Sequence, residues 1–507
     1  MNRLRMVVAA LLWPGLMGCT PGHLTLGRPA QPPQLRGLWV DAFGPGFKTP
    51  AEIDQLVLDA KKLNVNVLFA QVGRRGDCYC NRAAMPRTDD PAVPPGFDPL
   101  DDLLNKAHAA GIAVDAWIIT TALWNSPAPP SSPQHAFNLH GPAAQGRDNW
   151  LTQQQGGAQK AGNDWVLDPG HPDAAEYIRN MYVSVVKNYD VDGVQFDRVR
   201  YPDGSLPGAL LWGYNPTALE RYRAETGATG TPDPADPAWG AWRRQQVTNL
   251  VRETALALKA VRPTVSVNAA TITYGAAPTD EASFAATRPP AEVGQDWLTW
   301  VQDGYLDVNV MMNYKRDSTP QQARYHDDWA RFAAGLLRNY PHTAQVSGTA
   351  LYLNDQNSSV SQARRALRAG VSGWAMYSYR TPDREVYASR RSGAEVRPEL
   401  TAKLTDRTMP FEHPAPWPGP DMRGFRALSG HVRTNGTPPG NQVIVLTDAD
   451  TGRELARTVT DGSGRYGFMW IAVPRVKVSA GQAAASLARP LALNDGVVTV
   501  APELTLP

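Results

Sequence analysis

From Arg36 onward the chain alternates short runs of β-branched and aromatic residues with longer amphipathic stretches. The runs RGLWVDAF, VNVLFAQV, IAVDAWII, DGVQFDRV, TVSVNAAT, LDVNVMMNY, TAQVSGTALYL and VSGWAMYSY predict eight strands. Between them lie helical patterns with recognisable ends. Thr49-Pro50 opens PAEIDQLVLDAKKLN, FDPLDDLLNKAHAAGI stops at Gly111, and HPDAAEYIRNMYVSVVKNYD leads into the fourth run. Strands separated by helices predict a parallel sheet, and eight of them fit a (β/α)8 TIM barrel over residues 35–410 better than an open sheet. No G-x-G-x-x-G or P-loop stands at a strand end, which argues against a nucleotide site.

Two long stretches interrupt the alternation, from about Leu123 to Asp164 and from about Asp203 to Trp239. Both follow strands, on the face where barrels assemble their sites, and such loops commonly form a substrate cleft. Past Pro420 the pattern shifts to alternating strands broken by DADTG and DGSGRYGF. Residues 425–507 are therefore expected to form a small antiparallel β-sandwich, similar to a carboxypeptidase regulatory-like domain and serving as a spacer or stability module.

The first residues, MNRLRMVVAALLWPGLMGC, place Arg3 and Arg5 before a short apolar run and small residues before Cys19. This reads as an export signal over 1–19. Leu16-Met17-Gly18-Cys19 resembles a lipobox that would lipidate Cys19, with an ordinary cleaved signal as the alternative. Residues 20–34, rich in Pro and Gly, read as a tether to a membrane in the cell envelope.

Two of the 50 Lys and Arg residues lie in the first 18 positions with no acid beside them, leaving an even balance with the 48 Asp and Glu. A neutral chain without a basic tract is a poor nucleic-acid binder. Cys78 and Cys80, in GDCYCNR, are too few for a zinc site, and an exported chain permits a disulfide or a loop-rigidifying pair. No metal and no cofactor is expected.

Catalytic groups in a parallel barrel emerge from the C-terminal ends of strands. Within DGVQFDRV, Gln195 and Asp197 have one parity and Val194 and Phe196 the other; if the apolar pair packs against helices, Asp197 faces the barrel mouth. The plainer reading makes Asp197 a cap or an ion-pair partner of Arg198 or Arg200. Other polar residues join the candidate site: Asp41 ends the first strand, Gln71 the second, Asn268 the fifth, Asn313 with Tyr314 the sixth and Tyr377 the eighth. Asp115 lies inside the third strand in register with Trp117. Several polar groups at one end of a barrel are costly to bury without a ligand. Trp39, Trp117, Trp124, Trp150, Trp165, Trp212, Trp297 and Trp374 crowd the same strands and loops, and flat aromatic faces suit sugar rings.

The series RGLWVD, VNVLFAQV, AHAAGIAVDAWI, DVDGVQFDRVRYP and DWLTWVQDGYLDVNVMMNY resembles the bacterial glycosyl-hydrolase-like 10 family, from about Leu35 to Tyr379. The resemblance implies a retaining barrel of the α-amylase type, in which Asp197 is the nucleophile and Gln195, Arg200 and Tyr201 surround it. It further implies a polysaccharide substrate in the cell envelope, including amino-sugar strands such as those of peptidoglycan. Two departures stand out. Gln195 replaces the arginine expected two residues before the nucleophile, and the fifth strand lacks the usual glutamate. The acid is then expected from Asp115 or Asp41, ahead of Asp296, Asp280 and Glu281. The alternatives are a glycan-binding lipoprotein without catalysis and, third, a metal-dependent deacetylase.

Overall fold

In a computed structural model, residues 33–203, 212–417, 419–434, 440–480, 486–487 and 489–506 are described. The export signal, Cys19 and all but the last two residues of the tether lie outside them.

Eight parallel strands close into a barrel: β1 (Leu35–Val40), β2 (Val67–Gly73), β3 (Ala113–Ile119), β4 (Gly193–Asp197), β5 (Ser266–Ile272), β6 (Val308–Met312), β7 (Ala344–Ala350) and β8 (Gly373–Tyr377), with β8 returning to β1. A helix follows each: α1 (Pro50–Lys62), α2 (Pro99–Ala109), α3 (Pro172–Asn188), α4 (Pro237–Val261), α5 (Trp297–Gln302), α6 (Pro320–Leu336), α7 (Gln356–Ala369) and α8 (Gly393–Thr405). Five of them start at a proline behind Thr49, Asp98, His171, Asp236 or Thr319. There the missing N–H costs nothing and the fixed φ suits the first turn.

The period of two sorts the side chains. Trp39, Phe69, Trp117, Ile119, Val310, Val346 and Ala375 fill the lumen. Leu38, Leu68, Val114, Ile118, Val194, Phe196, Met311 and Trp374 pack outward against the helices. Val194 and Phe196 thus belong to the helix layer and leave Gln195 and Asp197 to the lumen, the condition stated for Asp197 to face the mouth.

Residues 410–416 fold back onto the start of β1 and onto Asn66. Gln34 N–H donates to Pro416 O (3.1 Å), Arg36 to Pro410 O (3.0 Å) and Asn66 Nδ2 to Ala415 O (3.0 Å).

The two insertions form one wall. Residues 122–124, 160–161 and 164–166 make a small three-stranded sheet. Asn215 Nδ2, from the second insertion, donates to Asn149 O (2.9 Å) and Leu151 O (2.8 Å) of the first.

The C-terminal module comprises β9 (Arg426–Thr434), β10 (Val443–Asp448), β11 (Glu454–Val459), β12 (Arg465–Phe468), β13 (Arg475–Ala480), β14 (Leu491–Ala492), β15 (Val497–Val500) and β16 (Leu504–Leu506). Two sheets enclose Leu428, Val432, Ile444, Tyr466 and Val478. Pairing is antiparallel except that β9 also runs parallel to β15 and β16. The module is docked on α4. Arg252, fully buried there, pairs with Glu253 (2.7 Å) and donates to Thr458 Oγ1 (2.7 Å) and Arg465 O (3.4 Å).

Candidate active site

Asp197 closes β4 at the mouth and is 8% exposed. Trp117 Nε1, from the neighbouring β3, donates to Asp197 Oδ2 at 3.0 Å, and the backbone N–H of Arg198 donates to Oδ1 at 2.7 Å. Arg198 holds a φ of 52°, in the left-handed region that a non-glycine residue avoids. The strained turn is held from three sides. Thr120 N–H donates to Asp197 O (2.8 Å), Thr121 Oγ1 donates to Arg198 O (2.6 Å) and Arg200 O (2.9 Å), and the Arg198 guanidinium pairs with Asp164 of the first insertion at 2.8 Å. Strain of this kind persists where surrounding structure over-determines it, and such places cluster at functional sites.

Cationic groups border the carboxylate. Arg75, 3.6 Å from Asp164, is buried, and burial and Arg198 depress its pKa while Asp164 and Asp197 oppose the shift. Arg200 pairs with Asp203 (3.1 Å). Burial works against its charge, but Asp203, Tyr274 and Asp197 more than offset this and hold the guanidinium above its ordinary value. The direct partner of Arg200 is thus Asp203, and the charge of Asp197 adds a smaller contribution.

The floor of the mouth crosses the lumen. Trp39 Nε1 on β1 donates to Gln195 Oε1 on β4 at 2.6 Å, tying together the positions two residues before Asp41 and Asp197. Gln71 Oε1 accepts from Ala42 N–H (2.9 Å). The amide nitrogens of Gln71 and Gln195 are buried without a partner among the described residues. Tyr377 stands 6.1 Å from Trp39, 6.2 Å from Trp117 and 5.5 Å from Tyr314, so four rings frame the opening. Both tyrosine hydroxyls have raised pKa values. Burial is the main cause, followed by Tyr377 and Asp197 for Tyr314, and by Asp41 and Asp197 for Tyr377.

Asp41 borders the same mouth but is fully engaged. Its Oδ1 accepts from Phe43 N–H (3.1 Å) and Arg380 Nε (2.9 Å), and its Oδ2 from Ser378 Oγ (2.9 Å). Three donors suit a carboxylate better than a group that must itself donate a proton.

The other expected residues are distributed differently. Asp115 is not at the mouth: its register partner is Gly193, the first residue of β4, while Ile119 pairs with Asp197. At ~3.3 Å per residue Asp115 lies about 13 Å back along its strand from that level. There it accepts from Asn268 Nδ2, which removes Asn268 from the mouth as well. Burial, then the charge of Asp192, pushes the Asp115 carboxyl well above its ordinary value. Asn313 has the outward parity of β6 and donates to His326 O (2.8 Å) of α6. Tyr201 is fully buried, bonded to Asp168 Oδ1 (3.3 Å) under the guanidinium of Arg243. Asp296 caps α5 and Asp280 caps its own loop turn, while Glu281 is bound by Tyr340 OH (2.6 Å). Trp297 and Trp374 belong to the helix layer, and Trp150 stacks on His140 (3.4 Å) in the insertion. Cys78 and Cys80 form a disulfide, with both residues buried in the loop after β2.

Sequence reasoning missed Arg75, Asp164 and Lys315. The pair Arg74-Arg75 directly after β2 is a readable signal for the first. Lys315 follows Tyr314, and its buried Nζ donates to Thr273 O at 2.6 Å; burial lowers its pKa to about 8.

A closed parallel barrel with a strand-ending carboxylate among indole N–H, guanidinium and clustered aromatic groups is a glycosidase-like barrel. The chain belongs to the glycosyl hydrolase-like 10 family, whose sequence profile matches residues 34–348. It is 29% identical over 296 residues to the glycosyl hydrolase DigH of Escherichia coli K12, covering 55% of this chain and 60% of DigH. It is 24% identical over 314 residues to the glycosyl hydrolase YngK of Bacillus subtilis 168, covering 60% of this chain and 56% of YngK. The match thus spans less than two thirds of either relative. Among solved structures, the glycoside hydrolase domain of PgaB (BpsB) from Bordetella bronchiseptica aligns with 72% of this chain and 98% of its own, at 16% identity and a TM-score of 0.48.

Proposed function

We propose that this protein is a glycoside hydrolase that cleaves a cell-envelope or extracellular polysaccharide, with amino-sugar glycans such as peptidoglycan strands as its substrate class. A lipidated Cys19 would hold it at a membrane on the exported side. Family membership supports the reaction class, and the N-terminal signal supports the location. The observation that carries the proposal is Asp197: a carboxylate at a barrel mouth, fixed by Trp117 and a strained turn, beneath an aromatic opening suited to a sugar ring.

In this reading Asp197 attacks the anomeric carbon or activates the water that does. Asp41, directly after β1, is the alternative carboxylate. Release of reducing ends from purified peptidoglycan and other N-acetylated glycans tests the proposal, and full activity in Asp197→Asn would refute the assignment of Asp197.

One observation favours a non-catalytic glycan-binding role instead. Asp41, the carboxylate that borders the mouth with Asp197, has both oxygens engaged by Phe43 N–H, Arg380 and Ser378, which leaves it poorly placed to donate a proton. Retention on insoluble glycan with no product after long incubation would establish that role.

A further inference from the structure

We propose that the mouth continues outward as an aromatic lane, Tyr377, Tyr352 and Tyr387, that stacks successive sugars of a glycan chain beyond the reacting bond and makes the protein selective for long chains. The proposal rests on the mouth being a glycan site and adds to it the direction and length of the bound chain.

The lane starts at Tyr377, whose raised pKa reflects burial and then the charges of Asp41 and Asp197, so its hydroxyl lies within electrostatic reach of both carboxylates. Tyr352 stands 6.1 Å from Tyr377, and Tyr387 stands 5.1 Å from Tyr352. Each step is within the range of directly contacting rings, and with interplanar angles of 73° and 42° the three form a stepped line and not a flat platform. Tyr377 and Tyr352 are partly buried, whereas Tyr387 is 63% exposed, the most exposed aromatic ring among the described residues.

Packing accounts for the first two rings and only in part for the third. Tyr387 touches Tyr352 on one side, yet most of its surface stays in water at the end of a line that begins beside Asp197, and an open aromatic face there suits the C–H face of a sugar. The support beneath the rings is stiff. Tyr352 sits on the 3-10 turn Leu351–Leu353 after β7, and Tyr387 ends a short helical turn, Arg384–Tyr387, after β8. Asp383 caps that turn by accepting from Glu385 N–H and Val386 N–H, both at 2.9 Å. The two turns are joined where Arg384 N–H donates to Asn354 O (3.0 Å), and Asn354 Nδ2 in turn donates to Lys315 O (3.0 Å). Rings presented on connected loops lose little freedom when a chain settles on them.

The test is calorimetric titration of the full-length protein, carrying Asp197→Asn to prevent turnover, with the dimer and the hexamer of N-acetylglucosamine. The hexamer should bind more tightly than the dimer. Tyr387→Ala should weaken the hexamer about fivefold to tenfold and leave the dimer unchanged, while Tyr387→Phe, which keeps the ring, should match the parent. An unchanged hexamer affinity in Tyr387→Ala, or an equal loss for both lengths, would overturn the lane. Dimer binding with no gain for the hexamer would sink the lane alone. If neither length binds, the glycan reading of the mouth falls with it.

Discussion

Trp117 donates its indole N–H to Asp197 Oδ2 at 3.0 Å, so the side chain that floors the mouth also aims the carboxylate. Trp117→Phe keeps the ring and removes the donor. A hydrogen bond to a charged group is worth roughly 1.5–3 kcal/mol. If Asp197 is the reacting carboxylate, kcat/KM on glycan should fall about 10- to 100-fold in Trp117→Phe and to background in Asp197→Asn. Steady-state kinetics with circular dichroism as a folding control would check this, and an undiminished Trp117→Phe would separate the bond from catalysis.

Asp41 accepts from Arg380, Ser378 and the Phe43 N–H, which fits a fixed charge and not a proton donor. Asp41→Asn is therefore expected to slow a natural glycan and an activated dinitrophenyl glycoside by the same factor, about tenfold or more. An acid variant behaves otherwise, because a good leaving group needs no proton. Preserved turnover of the activated substrate alone would make Asp41 the acid.

Asp115 contributes a pH dependence to stability. Its carboxyl is raised in the folded protein, through burial and then Asp192. Unfolding thus favours ionisation, and the stability present below the ordinary value of 3.8 is lost as the pH rises toward the folded value. Asp115→Asn removes this titration while keeping an acceptor for Asn268. The variant should melt at a higher temperature than the parent at pH 7, with the difference vanishing toward pH 4. A parent that outlasts the variant at pH 7 would contradict this account.

Gly193 opens β4 because Asp115 occupies the space beside it. A Cβ there would lie 2.4 Å from Asp115 Oδ1 and 2.9 Å from Ser266 O, and the latter is backbone that cannot turn aside. Gly193→Ala should cost about 1–3 kcal/mol, read as a lower midpoint in urea at unchanged slope. Parent-like stability would show that β4 and β5 can separate locally.

Much of this was legible because it is periodic. Alternation within the eight runs predicted the strands and put Val194 and Phe196 on one face and Gln195 and Asp197 on the other, since side chains of a strand alternate whatever the fold; which face is the lumen came from the packing. The same rule applied to β6 would have separated Asn313 from Tyr314. Both were expected at the mouth, and only Tyr314 has the inward parity.

Depth in the barrel and partners from distant loops were not legible. Asp115 and Asp197 both point into the lumen, yet only the register of β3 against β4 reveals that one lies far beneath the other. Asp164 and Arg198, Tyr352 and Tyr387, and Asp41 and Arg380 are joined by how loops fold over the strand ends. The sequence by itself determined the fold class, the parity that Asp197 shares with Gln195 and the aromatic character of the strand ends, because these follow from local periodicity and composition. Only the tertiary structure decided which carboxylates share that mouth and which serve the core, because register and loop contacts are set by packing between residues far apart in the chain.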